Sequence, residues 1–252
     1  MSKSDTLASA LIALGDDHLI LGHRLSEWCG HAPMLEEDLS MPNMALDLMG
    51  QARNLYTYAG ELENKGRSED DLAYLRTDRD YKNCLLVERP NGDFAHTMLR
   101  QFYFAAFMQP FWQAATRTSD DKLRGFAEKA VKEIAYHVRH SGEWIIRLGD
   151  GTDESARRMS EAVTALHGYT DELFTVTDDM QACIDADLLP DPRLLRDTWN
   201  QTIAHVFNEA LLTIPEIPFP QEGGRDGRHT EAFGHLLSEL QYMQRTYPGM
   251  TW

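Results

Sequence analysis

The chain has 252 residues, of which 42% are hydrophobic and 25% are charged, and both values are ordinary for a globular protein. Its formal net charge of −16 argues against nucleic acid and anionic membranes as partners, because their negative charges would repel an acidic protein. No apolar run approaches the length of a membrane span, and the N-terminus lacks the apolar core of a signal peptide, so we expect a cytoplasmic protein.

Apolar residues recur at helical spacing through nearly the whole chain, and this pattern predicts an all-α fold. From Leu7 to Trp28 they follow each other with alternating gaps of four and three, which is typical of a helix in a bundle. A second helix is expected to begin at Ser40 as N-cap, with Pro42 in its first turn. The charged stretch 64–80 predicts a loop or a short helix.

The third predicted helix begins after Asp93, is rich in aromatic residues and should kink at Pro110, where a backbone hydrogen bond is lost. The later predicted segments are a fourth helix from 118–121 to 149–151, helices over 153–177, 191–212 and 230–246, and an extended proline-rich segment over 214–220. No low-complexity linker interrupts the chain. The sequence therefore predicts one domain over 1–252, a four-helix bundle of about 5–148 with additional C-terminal helices over about 152–252.

Four-helix bundles that hold two irons take a carboxylate from each of two helices and a Glu-x-x-His pair from each of the other two. The third predicted helix, over 94–119, contains no aspartate or glutamate. The second and fourth helices carry Asp47 with Gln51 and Glu133 with His137, at a spacing of four instead of three. The sequence therefore predicts a bundle that has lost part of a di-iron ligand set.

The favoured interpretation is a buried polar network in place of a metal site, with no catalytic and no metal-binding residue in this chain. Its predicted members, at former ligand positions or beside them, are His18, Asp47, Gln51, Arg100, Glu133 and His137. Buried polar groups of this kind need hydrogen-bond partners. The alternative is a metal-dependent oxidase or oxygenase with an unusual ligand set, in which Asp47, Glu133 and His137 act together with water.

Two further features have simpler interpretations. The cysteines Cys29, Cys84 and Cys183 are scattered without CxxC spacing, which predicts buried reduced thiols. The segment 223–229, with the sequence GGRDGRH, could cradle a phosphate before a helix. It lacks the Walker pattern and follows no strand, so a surface turn is the favoured prediction.

Several motifs are highly specific in combination: EWCGHAP, DLMGQARN, VERPNGDFA and the C-terminal HTE…YPG…W. The segments that contain them, together with KAVKEIAYHVRHSGEWIIRLGDGTDES, cover 21–62, 83–104, 129–155 and 227–252. In these segments the chain resembles the PaaC subunits of bacterial phenylacetyl-CoA epoxidases. The resemblance implies a ferritin-like fold and a structural role beside PaaA, the subunit that carries the di-iron centre and binds phenylacetyl-CoA.

The resemblance also implies that the complex uses oxygen and electrons from an NADPH-fed reductase subunit, and that this chain holds no cofactor of its own. Two segments are candidate contact surfaces for the partner, the aromatic third helix and the Met-rich stretch 34–49, since interfaces are enriched in aromatic residues and methionine. A third possibility is an adaptor that contributes to the CoA pocket through Arg225 and Arg228.

Overall fold

The computed structural model describes residues 3–217 and 219–250, and these residues contain helices, turns and loops but no strand. The all-α fold class is therefore confirmed, and the four long helices that a ferritin-like bundle requires are present as α1, α2, α5 and α6. The helices are α1 (Lys3–Ser26), α2 (Leu35–Glu63), α3 (Glu69–Tyr74), α4 (Leu85–Glu88), α5 (Phe94–Ala115), α6 (Asp121–Gly149), α7 (Asp153–Leu166), α8 (Asp178–Asp185), α9 (Arg196–Glu209), α10 (Glu231–Leu240) and α11 (Tyr242–Thr246). None of these described helices is long and apolar enough to cross a membrane.

The chain forms two compact units. The first contains the described residues of 1–90, 177–183 and 223–252, and the second contains those of 91–176 and 184–222. The single domain over 1–252 stays a prediction.

In the first unit, α1 and α2 pack along each other in antiparallel directions. Two glycines of α1 permit the close approach. A Cβ on Gly15 would lie 2.6 Å from the Tyr56 ring, and one on Gly22 would lie 3.2 Å from the Ala45 carbonyl oxygen. Since both neighbours belong to α2 and are buried, larger side chains at these glycines would force the two helices apart.

The start of α2 differs from the prediction. The helix begins at Leu35 instead of after Ser40, and Pro42 lies inside it. Three acidic residues in the first turn, Glu36, Glu37 and Asp38, interact favourably with the helix dipole. The Asp38 carboxylate also accepts hydrogen bonds from the backbone N–H groups of residues 30 and 32, at 2.7 and 3.3 Å, which fixes the approach to the helix.

In the second unit, α5 and α6 pack together, and α7 and α9 contact both of them. The predicted cap of α5 is confirmed, because the Asp93 carboxylate accepts from the His96 N–H at 3.0 Å. Helix α6 begins within the predicted range 118–121, where the Asp120 carboxylate accepts from the Leu123 N–H at 2.8 Å. Most aromatic residues of α5 are fully buried: Phe102, Tyr103, Phe104, Phe107, Phe111 and Trp112. The aromatic helix is therefore core, and its role as a partner surface was wrongly predicted. The kink at Pro110 stays a prediction.

The later helices are shorter than predicted. The helix expected over 153–177 ends at Leu166 and is followed by two short 3-10 turns, and the glycine at 168 disfavours its continuation. The segments expected over 191–212 and 230–246 each divide, into a 3-10 turn with α9 and into α10 with α11. Helix α8 was missed because it has only 8 residues. Residues 214–217 contain no helix, and Pro218 lies outside the described residues.

Candidate functional site

Three residues of the predicted polar network lie on α1 and α2. His18 is fully buried, and its Nδ1 donates a hydrogen bond to the Leu14 carbonyl oxygen at 2.6 Å. This bond fixes the tautomer, because a carbonyl oxygen can only accept. Gln51 is also buried, whereas Asp47 is half-buried. His18 and Gln51 are therefore both buried, Asp47 lies nearer the surface, and a polar cluster of these residues stays a prediction.

The other three residues lie in the second unit. His137 is fully buried and its Nδ1 accepts from the Gln101 amide nitrogen at 3.0 Å. Arg100 is buried and donates to the Asn91 side-chain oxygen. Glu133 is half-buried and forms an ion pair with the exposed Lys129 at 3.2 Å. Mutual pairing among all six residues stays a prediction.

The side chains at the predicted metal-ligand positions do not fit a di-iron centre. The Gln101 amide uses one nitrogen of the His137 ring, and Lys129 faces the Glu133 carboxylate. Helix α5 supplies no carboxylate. Among the described residues, no three His, Cys, Asp or Glu side chains are grouped so that they could hold a metal ion.

The first unit contains a set of buried charges that the sequence did not predict. The first of them is Asp16. This carboxylate is fully buried on α1 and accepts from the Tyr56 hydroxyl at 2.6 Å and from the backbone N–H of Lys82 at 2.8 Å. Arg76 forms a bidentate ion pair with Asp16, and its guanidinium lies 4.1 Å from the centre of the Tyr81 ring. Burial raises the pKa of Tyr56, and the neighbouring carboxylate raises it further.

Asp17, the next residue, forms a second buried ion pair. Its carboxylate accepts from Arg225 Nη2 at 2.8 Å and from the backbone N–H of Cys84 at 2.7 Å. Arg225 also donates to the Lys82 carbonyl oxygen at 2.9 Å. Burial raises the pKa of Asp17 more than Arg225 and the N–H group lower it. Because the Arg225 guanidinium is engaged inside the protein, the exposed Arg228 remains as the candidate for a CoA contact.

The Gly-rich segment packs closely on the residues before α4. A Cβ on Gly224 would lie 2.1 Å from the Asn83 carbonyl oxygen, and one on Gly227, whose φ is +77°, would lie 2.4 Å from the Arg79 carbonyl oxygen. The segment is a turn, as predicted; Asp226 and Arg228 are exposed, whereas Gly223 and Gly224 are buried, so only part of the turn lies at the surface. Its glycines permit backbone contact, for which no side chain would leave room.

Glu88 forms the third buried pair, with His229. His229 Nδ1 lies 2.7 Å from the Glu88 carboxylate, and its Nε2 lies 3.0 Å from the Tyr81 carbonyl oxygen, so the charged imidazolium satisfies both contacts as a donor. Burial lowers the pKa of His229, but the hydrogen bond and charge of Glu88 outweigh it and raise the pKa above its ordinary value. Glu88 also accepts from the Thr230 N–H at 2.6 Å, and Arg24 donates to the Glu88 carbonyl oxygen.

Each carboxylate in this set accepts from at least two donors, and the pairs join parts of the chain as far as 208 residues apart. Such pairs position backbone segments. They anchor the segment that begins at Gly223 to α1 and to residues 76–88. Two adjacent aspartates within the largely apolar helix α1 were the one sequence signal for these buried ion pairs. Residue spacing, however, does not reveal which arginines pair with them.

The three cysteines all lie within the described residues, and they form no disulfide there. Cys84 and Cys183 are buried as predicted, whereas Cys29 is exposed in the turn after α1, so its predicted burial was wrong.

The family model described as "Phenylacetic acid catabolic protein" matches residues 1–252. The chain is also 43% identical over 246 residues to a subunit (designated C) of the 1,2-phenylacetyl-CoA epoxidase of Escherichia coli (strain K12), and this match covers 98% of the chain and 99% of that protein. The match to this subunit covers nearly the whole of both chains. The chain therefore belongs to the phenylacetic acid catabolic protein family.

Proposed function

We propose that the chain is a non-catalytic, structural subunit of a cytoplasmic multicomponent di-iron monooxygenase that epoxidises phenylacetyl-CoA in aerobic phenylacetate catabolism. The observation that carries this proposal is the end-to-end similarity to a subunit of the Escherichia coli epoxidase. In this role the chain pairs with and stabilises a PaaA-type catalytic subunit. That partner supplies the di-iron centre, and the complex uses oxygen and NADPH.

The chemistry of the buried residues supports a structural role. The predicted ligand positions hold donors that do not fit a di-iron centre, since His137 pairs with Gln101 and Glu133 with Lys129. In the first unit, the buried carboxylates of Asp16, Asp17 and Glu88 are engaged in ion pairs with arginine or histidine. Buried pairs of this kind position chain segments when both partners are present.

The test is reconstitution with the catalytic subunit of the same organism. We expect the two chains to elute together at micromolar concentration, and we expect NADPH-dependent epoxidation with the reductase only when both are present. The chain alone should neither consume oxygen nor convert phenylacetyl-CoA. Separate elution of the two chains, or full turnover without this chain, would overturn the proposal.

The alternative is a metal-dependent oxidase within this chain. The variants Glu133→Ala and His137→Ala distinguish it from a structural subunit. An oxidase loses bound metal and activity in both variants. A structural subunit loses stability, and His137→Ala should have the larger effect because that ring is buried while Glu133 pairs with exposed Lys129.

A further inference from the structure

Helix α2 carries a second apolar stripe on its exposed face. Leu35, Leu39 and Leu46 are 70%, 59% and 66% exposed. Together with the half-buried Pro42 and Met49 they follow each other at spacings of four, three, four and three. This is the spacing of residues along the contact between two helices that run side by side.

Met49 lies at the margin of the stripe, where its Cγ would be 3.2 Å from a Cβ on Gly22 of α1, but the other members of the stripe are separate from the face that α2 buries in its own unit. The buried side chains are Met41, Met44, Ala45, Leu48, Gln51, Ala52, Leu55, Tyr56 and Ala59. A helix that faces solvent on its other side ordinarily has polar residues there. Exposed leucines in a contiguous row instead mark a surface for another molecule.

Gly50 gives a second indication on the same side of the helix. It lies in the interior of α2, where glycine is unfavourable relative to alanine, and its φ is not in the left-handed region. A Cβ at Gly50 would meet no atom within 4 Å. Neither packing nor conformation within this chain requires glycine there. A second helix that approached α2 closely at this point would require it.

Charges beside the stripe indicate the chemistry of the occupant. Glu36 is exposed and Asp47 half-buried along one edge, and Asp38 lies along the other. In a symmetric pair of two copies of this chain, acidic edges would face acidic edges, which is unfavourable. Lys or Arg on a partner helix would instead complement both edges.

On the basis of the proposed function, we propose that this stripe docks an amphipathic helix of the catalytic epoxidase subunit, whose apolar seam is flanked by Lys or Arg. Leu35, Leu39 and Leu46 provide the apolar contact. Gly50 permits close approach at the C-terminal end of the stripe.

The experiment measures binding of the purified catalytic subunit to this chain by calorimetry. The double variant Leu39→Ala, Leu46→Ala is expected to bind about 100-fold more weakly, since each lost leucine contact is worth about a factor of ten. The matched control is Leu194→Ala, which removes a leucine that is 78% exposed in the second unit, and its affinity should be unchanged. Gly50→Ala should raise the melting temperature of the free chain and weaken binding.

The results separate the two proposals. If the wild-type chain fails to bind the catalytic subunit, both the proposed function and this docking surface are wrong. If the wild-type chain and the double leucine variant bind equally well, the docking surface is wrong and the proposed function stands. If the free wild-type chain is a dimer that the double variant converts to a monomer, the occupant is a second copy, which also overturns this inference.

Discussion

Replacement of Arg225 by alanine would leave the Asp17 carboxylate without its charged partner inside the first unit. The Asp17 side chain is 1% exposed and that of Arg225 is 11% exposed, so the pair is shielded from water and salt. The variant also removes the hydrogen bond from Arg225 to the Lys82 carbonyl oxygen. The segment that begins at Gly223 would lose its ion pair with α1.

Removal of one partner from a buried ion pair costs about 3–5 kcal/mol. The raised pKa of Asp17 allows the carboxyl to take up a proton more readily, so we expect a loss of about 3 kcal/mol, at the lower end of this range. For a free energy of unfolding that decreases by about 3 kcal/mol per molar urea, this loss corresponds to a urea midpoint that is lower by about 1 M.

The assay is urea denaturation followed by tryptophan fluorescence at pH 7. Arg228→Ala is the matched control, because Arg228 lies in the same segment and its ion pair with Asp226 is exposed. Its midpoint should change by less than about 0.3 M, since exposed pairs contribute about 0–1 kcal/mol. In the Arg225→Ala background, Asp17→Asn should restore part of the loss. Equal shifts for the two arginine variants would refute the account of this pair.

The remaining predictions concern pH and helix packing. The pKa of His229 is raised, so its pair with Glu88 stabilises the fold fully below the unfolded pKa of about 6.5, and this stability is lost as pH rises through the folded pKa. Melting temperatures at several pH values above about 6 should therefore fall more for the wild type than for His229→Gln, and parallel profiles would contradict this. Gly15→Ala should destabilise by about 1–3 kcal/mol, because its Cβ would lie 2.6 Å from the Tyr56 ring. Gly125→Ala, by contrast, should stabilise the fold by up to about 1 kcal/mol, because a Cβ there would meet no atom within 4 Å. If the urea midpoints of the Gly15 and Gly125 variants change in the same direction, packing against Tyr56 does not explain the effect at Gly15.

The sequence predicted the helices well where the signal was local. Asp93 and Asp120 cap α5 and α6 because an aspartate directly before a helix can reach the free N–H groups of the first turn. Ser40 looked equally suitable, but α2 had already begun five residues earlier and continues through Pro42. Tertiary contacts of α2 with α1 offset the local preference of proline for a first turn.

The buried ion pairs could not be predicted in the same way. Asp16 and Asp17 stand out within the apolar seam of α1, but a burial pattern does not identify their partners. Arg76 lies 60 residues away from Asp16, and Arg225 lies 208 residues away from Asp17. Only the packed structure brings these charges together.

The iron content of the purified chain after anaerobic loading with Fe(II) distinguishes a structural subunit from a metal enzyme. A structural subunit should retain no specifically bound iron after desalting, while the catalytic subunit loaded in parallel should retain it. Because Gln101 and Lys129 already engage His137 and Glu133, which are predicted to be remnants of ligand positions, we expect this result for the free chain and for the chain recovered from the complex. About two irons per chain, the content of a complete di-iron bundle, would contradict the account and assign this chain a metal centre of its own.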